Sequence, residues 1–249
     1  MHLVGKGVLR FHAVYWPAML LSAGEPLPTD ILVHDYLTTD GHKISKSGGG
    51  TPDPVALVRQ FGTDSVRWWL LREVPRIGDT DFTVAKLIAR ANADLAGGLG
   101  NLVSRTVAMV HRYRGGVVPG GGAGGAAGPG AGRLLAACEQ APGLIDTALD
   151  GFDFRAAADA AWHIVDQANL YIEGIRPWHL ARTEHDDPGA APRLDATLRA
   201  LVHACRCLAS ELTPFIPATA AKVAAQCTPS VPSGMLPAPE PVFPRLIAA

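Results

Sequence analysis

The sequence predicts a mainly α-helical chain in two units: a mixed α/β fragment over residues 1–80 and a helical bundle over residues 81–249. Three observations carry this. Apolar residues recur at three- and four-residue steps through most of the chain after residue 81. A short apolar run, Ile31-Leu32-Val33-His34-Asp35-Tyr36-Leu37, reads as a buried strand near the start. Residues 115–132 hold ten glycines and no charge, which predicts a connector within the second unit.

Taken in order, residues 5–23 predict a helix apolar on most sides, with Val8, Phe11, His12, Tyr15, Trp16 and Met19 in helical steps. Pro17 should bend or break it, because it lacks an N–H and its ring crowds the preceding turn. A turn at residues 24–28 leads to the strand at 31–37, and residues 38–54 form a polar loop rich in Gly, Ser and Lys. Short helices follow at 54–61 and 63–74. Asp81-Phe82-Thr83 reads as a cap for a long helix running to Arg114, weakened in the middle by Gly97, Gly98 and Gly100. Further helices are expected at 133–149, 154–175, 193–212 and 215–226, and a proline-rich tail from Thr228 should lie extended against the body.

Composition narrows the functional classes. Across 249 residues, 48% are hydrophobic and 18% charged, the balance of a core-forming chain. A net charge of −1 excludes a strongly basic nucleic-acid coat, though not a local patch; residues 81–114 carry five basic residues against two acidic ones. Four cysteines without a C-x-x-C pair argue against a zinc ribbon or a secreted disulfide scaffold and predict free thiols, with Cys205 and Cys207 diverging on one helix. No run reaches the roughly 18 apolar residues of a membrane span, and residues 1–6 lack the order of a signal peptide, so a cytoplasmic chain with no membrane partner is expected.

The stretch Asp40-Gly41-His42-Lys43-Ile44-Ser45-Lys46-Ser47-Gly48 carries the chemistry. Lysines supply mobile charge for phosphate oxygens, serine hydroxyls add donors, and glycines admit the backbone. It is not the G-x-x-x-x-G-K-[ST] phosphate loop, and by itself it reads equally as a solvated basic turn. In context it resembles the KMSKS signature of class I aminoacyl-tRNA synthetases, with Ile44 in the methionine position. Residues 5–18 are similar to the matching helix of the methionyl-tRNA synthetase family. So are Arg72-Glu73-Val74-Pro75, Asp81-Phe82, Asn92-Ala93-Asp94-Leu95, Asn101-Leu102-Val103-Ser104-Arg105, Arg176-Pro177-Trp178 and Phe243-Pro244-Arg245. The resemblance covers almost the whole chain apart from the glycine linker 115–132.

It implies the second half of a class I catalytic domain (1–80) followed by an anticodon-binding bundle (81–249). ATP with Mg2+ would be the substrate of methionine activation, in which the amino-acid carboxylate attacks the α-phosphate and pyrophosphate leaves. Lys46, supported by Lys43, would stabilise charge building on the phosphate oxygens, with Ser45 and Ser47 among the ATP contacts. Val8, His12 and Trp16, spaced i, i+4, i+8, match the pocket for the methionine side chain; spacing alone reads as core packing. Asn101 and Arg105 match the anticodon-reading positions, and Trp178 would offer a stacking surface.

The sequence departs from the family in four places. It contains no H-I-G-H-like motif and no zinc-bearing connective domain, so no zinc site is expected. Gly7 replaces an aspartate, and Asp35 replaces a glycine beside the adenine site. Three readings follow: one part of a methionine–tRNA ligase, with methionine tRNA, methionine and a separate N-terminal catalytic half as partners; a non-catalytic tRNA-binding module; or a synthetase-like protein that activates amino acids for small-molecule biosynthesis.

Overall fold

A computed structural model describes residues 1–39, 41–44, 53–121, 128–230 and 233–247. The chain is mainly helical, as expected, and begins with a strand that periodicity missed. β1 (His2–Gly5) pairs in parallel with β2 (Ile31–His34), Val4 opposite Val33. Between them the expected single helix is three segments. A 3-10 turn (Lys6–Val8) leads through Leu9 and Arg10 into a π-helical stretch (Phe11–Tyr15) and then α1 (Trp16–Ala23). The π turn closes with the Trp16 amide donating to the Phe11 carbonyl, one residue wider than an α-turn, directly before Pro17, which has no amide to donate. Gly24, left-handed at φ 72°, ends α1.

The expected strand 31–37 is interrupted at Asp35-Tyr36 and resumes as β3 (Leu37–Thr39) in a second sheet. There β3 pairs antiparallel with β4 (His42–Lys43) and parallel with β5 (Thr80–Asp81). α2 (Pro54–Phe61) starts where the Asp53 carboxylate accepts the Val55 amide and Pro54 fills the first turn. α3 (Thr63–Glu73) follows after Gly62 at φ 83°.

The long helix expected to Arg114 is α4 (Val84–Ala91), capped by Thr83 accepting from the Lys86 amide, then a π-helical stretch (Asn92–Gly100), then α5 (Asn101–Arg114). The glycines weaken this middle as expected, and Gly98 has a packing reason as well: a Cβ there would lie 2.7 Å from the Trp162 ring. α6 (Ala131–Asp150), α7 (Phe154–Ile175), α9 (Ala190–Glu211) and α10 (Pro217–Cys227) match the expected helices within a few residues, and α8 (Pro177–Thr183) is additional. Among the described residues no helix is long and apolar enough to cross a membrane.

One core joins these helices and includes Trp68 of α3, Leu99, Trp162, Ile172, Leu198 and Phe215. α3 therefore packs into the bundle although it precedes residue 81: Arg67 donates to the Pro214 and Phe215 carbonyls, and the buried Asp64 carboxylate accepts the Thr219 amide. The tail lies against the body as expected. Leu236, Val242 and Phe243 are buried, and the Asn92 side chain both donates to the Leu246 carbonyl (2.8 Å) and accepts its amide (2.7 Å). The N-terminal end of the glycine connector is tied down too, by a Val117–Met235 bridge and by Arg199 donating to the Gly120 carbonyl.

Candidate functional site

β3 and β4 form a hairpin whose C-terminal end leads into the signature motif. Lys43 lies in β4, its backbone opposite Thr38, and its side chain falls outside the described residues; Ser45, Lys46 and Ser47 also lie outside them. The approach to the motif is fixed by one carboxylate. Asp81 Oδ1 accepts the Gly41 amide at 2.9 Å and the Thr38 hydroxyl at 3.1 Å, while Lys86 Nζ donates to Asp81 Oδ2 at 3.1 Å. The Gly41 amide, then Lys86, holds the Asp81 carboxyl below the usual aspartate value. A depressed carboxylate stabilises the fold above its unfolded pKa, and that contribution is lost as pH falls through the folded value. Protection of the Gly41 and Phe82 amides, relative to their intrinsic exchange rates, should therefore be high at neutral pH and fall below about pH 4. Asp81→Ala should lose that protection already at pH 7.

A second charged knot closes the other end. Lys6 Nζ bridges Asp35 (3.0 Å) and Asp79 (2.5 Å) and lies 4.9 Å from the centre of the Tyr36 ring. Asp35 Oδ2 also accepts the Gly78 amide, and Asp79 Oδ1 accepts the Tyr36 amide. The Gly78 amide and Lys6 lower the Asp35 carboxyl, and Asp79 with Asp35 raises the Lys6 ammonium. Asp35 and Gly7, two of the four expected departures, have a local reason here. The Asp35 carboxylate is turned onto Lys6 and the Gly78 amide. A Cβ at Gly7 would stand 2.3 Å from the Tyr36 hydroxyl, so the glycine makes room for the tyrosine. Sequence reading missed Lys6, Tyr36 and Asp79, because Asp79 reaches its partners only through the fold.

On the first helical stretch, His12 Nδ1 donates to the Val8 carbonyl at 3.0 Å. His12 also meets the His2 and Phe11 rings edge-on. Trp16 lies beyond the π turn, half-buried, and its indole N–H is buried without an acceptor among the described residues. The i, i+4, i+8 face assumed for Val8, His12 and Trp16 is that of a regular α-helix, and the wider π turn alters it. The surrounding face is apolar and open: Phe11, Val14, Tyr15, Met19 and Leu21 are each at least 47% exposed.

In the bundle, Asn101 is exposed at the start of α5, with Arg105 half-buried one turn on. Trp178 is 46% exposed at the start of α8, held there by the left-handed Arg176 (φ 51°) and by Pro177 at the helix start. Both α5 and α8 pack on α9. The basic excess expected over residues 81–114 is mostly neutralised. Lys86 pairs with Asp81, Arg90 with Glu73 and Asp94, and Arg114 with Glu184 and Asp195, which leaves Arg105 and Arg112 without an ion pair among the described residues. The other family-like segments do structural work. The Arg72 guanidinium lies 5.7 Å from the rings of both Trp68 and Trp162, pairs with Asp159, and faces Asp94, which accepts the Trp68 indole N–H at 2.9 Å.

Comparisons with known proteins agree with this arrangement. The family model of class I tRNA synthetases (M) matches residues 1–107. The methionine–tRNA ligase of Mesorhizobium japonicum is 38% identical over 99% of this chain and 49% of its own length. That of Clostridium perfringens is 39% identical over 92% of this chain and 35% of its own. Mycobacterium tuberculosis methionyl-tRNA synthetase in complex with methionyl-adenylate superposes with a TM-score of 0.88 at 34% identity, over 98% of this chain and 50% of that one. The chain thus spans about a third to a half of the length of the curated relatives it matches. Over almost its whole length the chain is thus similar to one part of the methionyl-tRNA synthetases, and residues 1–107 match the family model of class I tRNA synthetases (M).

Proposed function

We propose that this chain supplies the signature loop and the tRNA-reading bundle of a methionine–tRNA ligase, and that it activates methionine only together with a nucleotide-binding half bearing the H-I-G-H-type motif. One observation supports the joint role most strongly. Asp81 ties the hairpin that delivers the Lys43–Ser47 motif to Lys86 on the first helix of the bundle, so the loop and the tRNA-reading helices share one anchor. Lys46, with Lys43, Ser45 and Ser47, closes on ATP, whose Mg2+ travels with the nucleotide. The lysines then stabilise charge on the phosphate oxygens as the methionine carboxylate displaces pyrophosphate. His12, Trp16 and Val8 border the methionine side chain. Asn101 and Arg105 hydrogen-bond anticodon bases, and Trp178 stacks on one.

The surface supports this reading. A two-stranded parallel sheet is not stable in isolation, and β1–β2 buries only Val4 among its apolar side chains while the neighbouring helical stretch leaves its apolar face open. The test is methionine-dependent ATP–pyrophosphate exchange. The 249-residue chain should show none, and exchange should appear when a polypeptide carrying the nucleotide-binding half is added. Exchange by this chain alone, abolished in Lys46→Ala, would overturn the two-part reading.

A further inference from the structure

The bundle contains a cluster that methionine activation and anticodon reading do not use. His203 and Cys207 stand one turn apart on α9, and Cys138 reaches them from α6, which packs against α9. Their donor atoms all lie within 4.8 Å of one another, and His203 Nε2 is 3.5 Å from Cys207 Sγ. We propose that this cluster is a zinc site, with Cys138 Sγ, Cys207 Sγ and His203 Nε2 as protein ligands and water in the fourth position, clamping α6 to α9.

The geometry suits zinc. Bond lengths of about 2.3 Å to sulfur and 2.0–2.1 Å to nitrogen, at tetrahedral angles, set ligand atoms roughly 3.6–3.8 Å apart. The pair on α9 already has this spacing, and the remaining separations need to close by about 1 Å at most. The donor set selects the metal: two thiolates and an imidazole suit zinc, whereas magnesium and calcium require oxygen ligands. Access is graded, with Cys138 buried, Cys207 half-buried and His203 exposed, so the ion enters from solvent and ends against the core. Cys205, two residues from Cys207, is fully buried and engages Cys227 instead. Binding converts Zn2+, two thiols and a neutral imidazole into the complex and two released protons, with no change of oxidation state. The expectation of no zinc site came from the missing connective domain and C-x-x-C pair; the ligands here are gathered from two helices.

The test is a cobalt titration of the metal-free, phosphine-reduced 249-residue chain. One Co2+ per chain should give a thiolate-to-metal charge-transfer band and intense tetrahedral visible bands, both removed by an equivalent of Zn2+. Zinc binding in weak buffer should release two protons per chain. His203→Ala changes an exposed side chain, so the fold is retained, and the visible bands should fall with at least a tenfold loss of affinity. Cys207→Ser should halve the charge-transfer intensity or abolish binding, and Cys227→Ala should leave the spectrum unchanged. Absence of tetrahedral bands at excess cobalt, bands that persist unchanged in His203→Ala, or bands that vanish in Cys227→Ala would each overturn the assignment. Should Cys207→Ser fail to fold, His203→Ala decides by itself.

Discussion

Asp94→Ala should destabilise the chain by about 3–5 kcal/mol, the cost of leaving a buried charge without its partner. Asp94 is itself buried and serves three groups: its Oδ2 accepts the Trp68 indole N–H and faces Arg72 at 3.6 Å, and its Oδ1 faces Arg90 at 3.5 Å. Arg72 packs over the adjoining rings of Trp68 and Trp162, where burial pulls its guanidinium below the usual value. Removing the carboxylate strands both the indole donor and the guanidinium at the junction of α3, α7 and the Asn92–Gly100 stretch. Asp159 cannot compensate, because its side chain is largely exposed and water screens the pair. Urea unfolding checks this. Asp94→Ala should lower the midpoint strongly with little change in slope, whereas Asp159→Ala should cost less than about 1 kcal/mol. Equal, small effects from both would mean that the network is incidental to stability.

The second large effect is catalytic. In the enzyme reassembled from this chain and a nucleotide-binding half, Lys46→Ala should lower the rate of adenylate formation by about 10²–10³-fold, the usual loss when one preorganised transition-state donor is removed. Methionine KM should change little, since the charge that Lys46 meets develops only as pyrophosphate departs. Pre-steady-state measurement of adenylate formation separates the two parameters. Parallel losses in both would indicate general damage to the loop.

Much of the helical layout was legible because local chemistry marks it. Asp53-Pro54, Gly62, Thr83 and Asp153 each start or stop a helix by capping or by backbone conformation, and the expected boundaries fall beside them. What escaped depends on partners distant in sequence. β1, β4 and β5 are two to four residues long and exist only through pairing, too short for periodicity to register. The π-helical stretches keep much the same apolar repeat as an α-helix and so hide within it. At the candidate site, resemblance located the motif, Asn101, Arg105 and Trp178. It could not separate reading residues from framework: Asn92 turned out to clip the tail, and Arg72 and Asp94 to lock α3 into the bundle. Nor did a count of basic residues anticipate that Lys86, Arg90 and Arg114 would each find a carboxylate.

That neutralisation sharpens the expected mode of RNA binding. With only Arg105 and Arg112, of the basic residues of 81–114, free of an ion pair among the described residues, affinity through this stretch should be modest and salt-sensitive, and discrimination should come from base contacts. The most direct measurement is a titration of the chain with methionine tRNA and with the same tRNA carrying a changed anticodon. The wild-type chain should prefer the native anticodon. Trp178→Ala should cost about 1–3 kcal/mol of binding through lost stacking, and Asn101→Ala should narrow the difference between the two tRNAs. Equal affinity for both tRNAs, unmoved by either substitution, would contradict the account and leave Asn101, Arg105 and Trp178 as surface residues of a bundle that does not read tRNA.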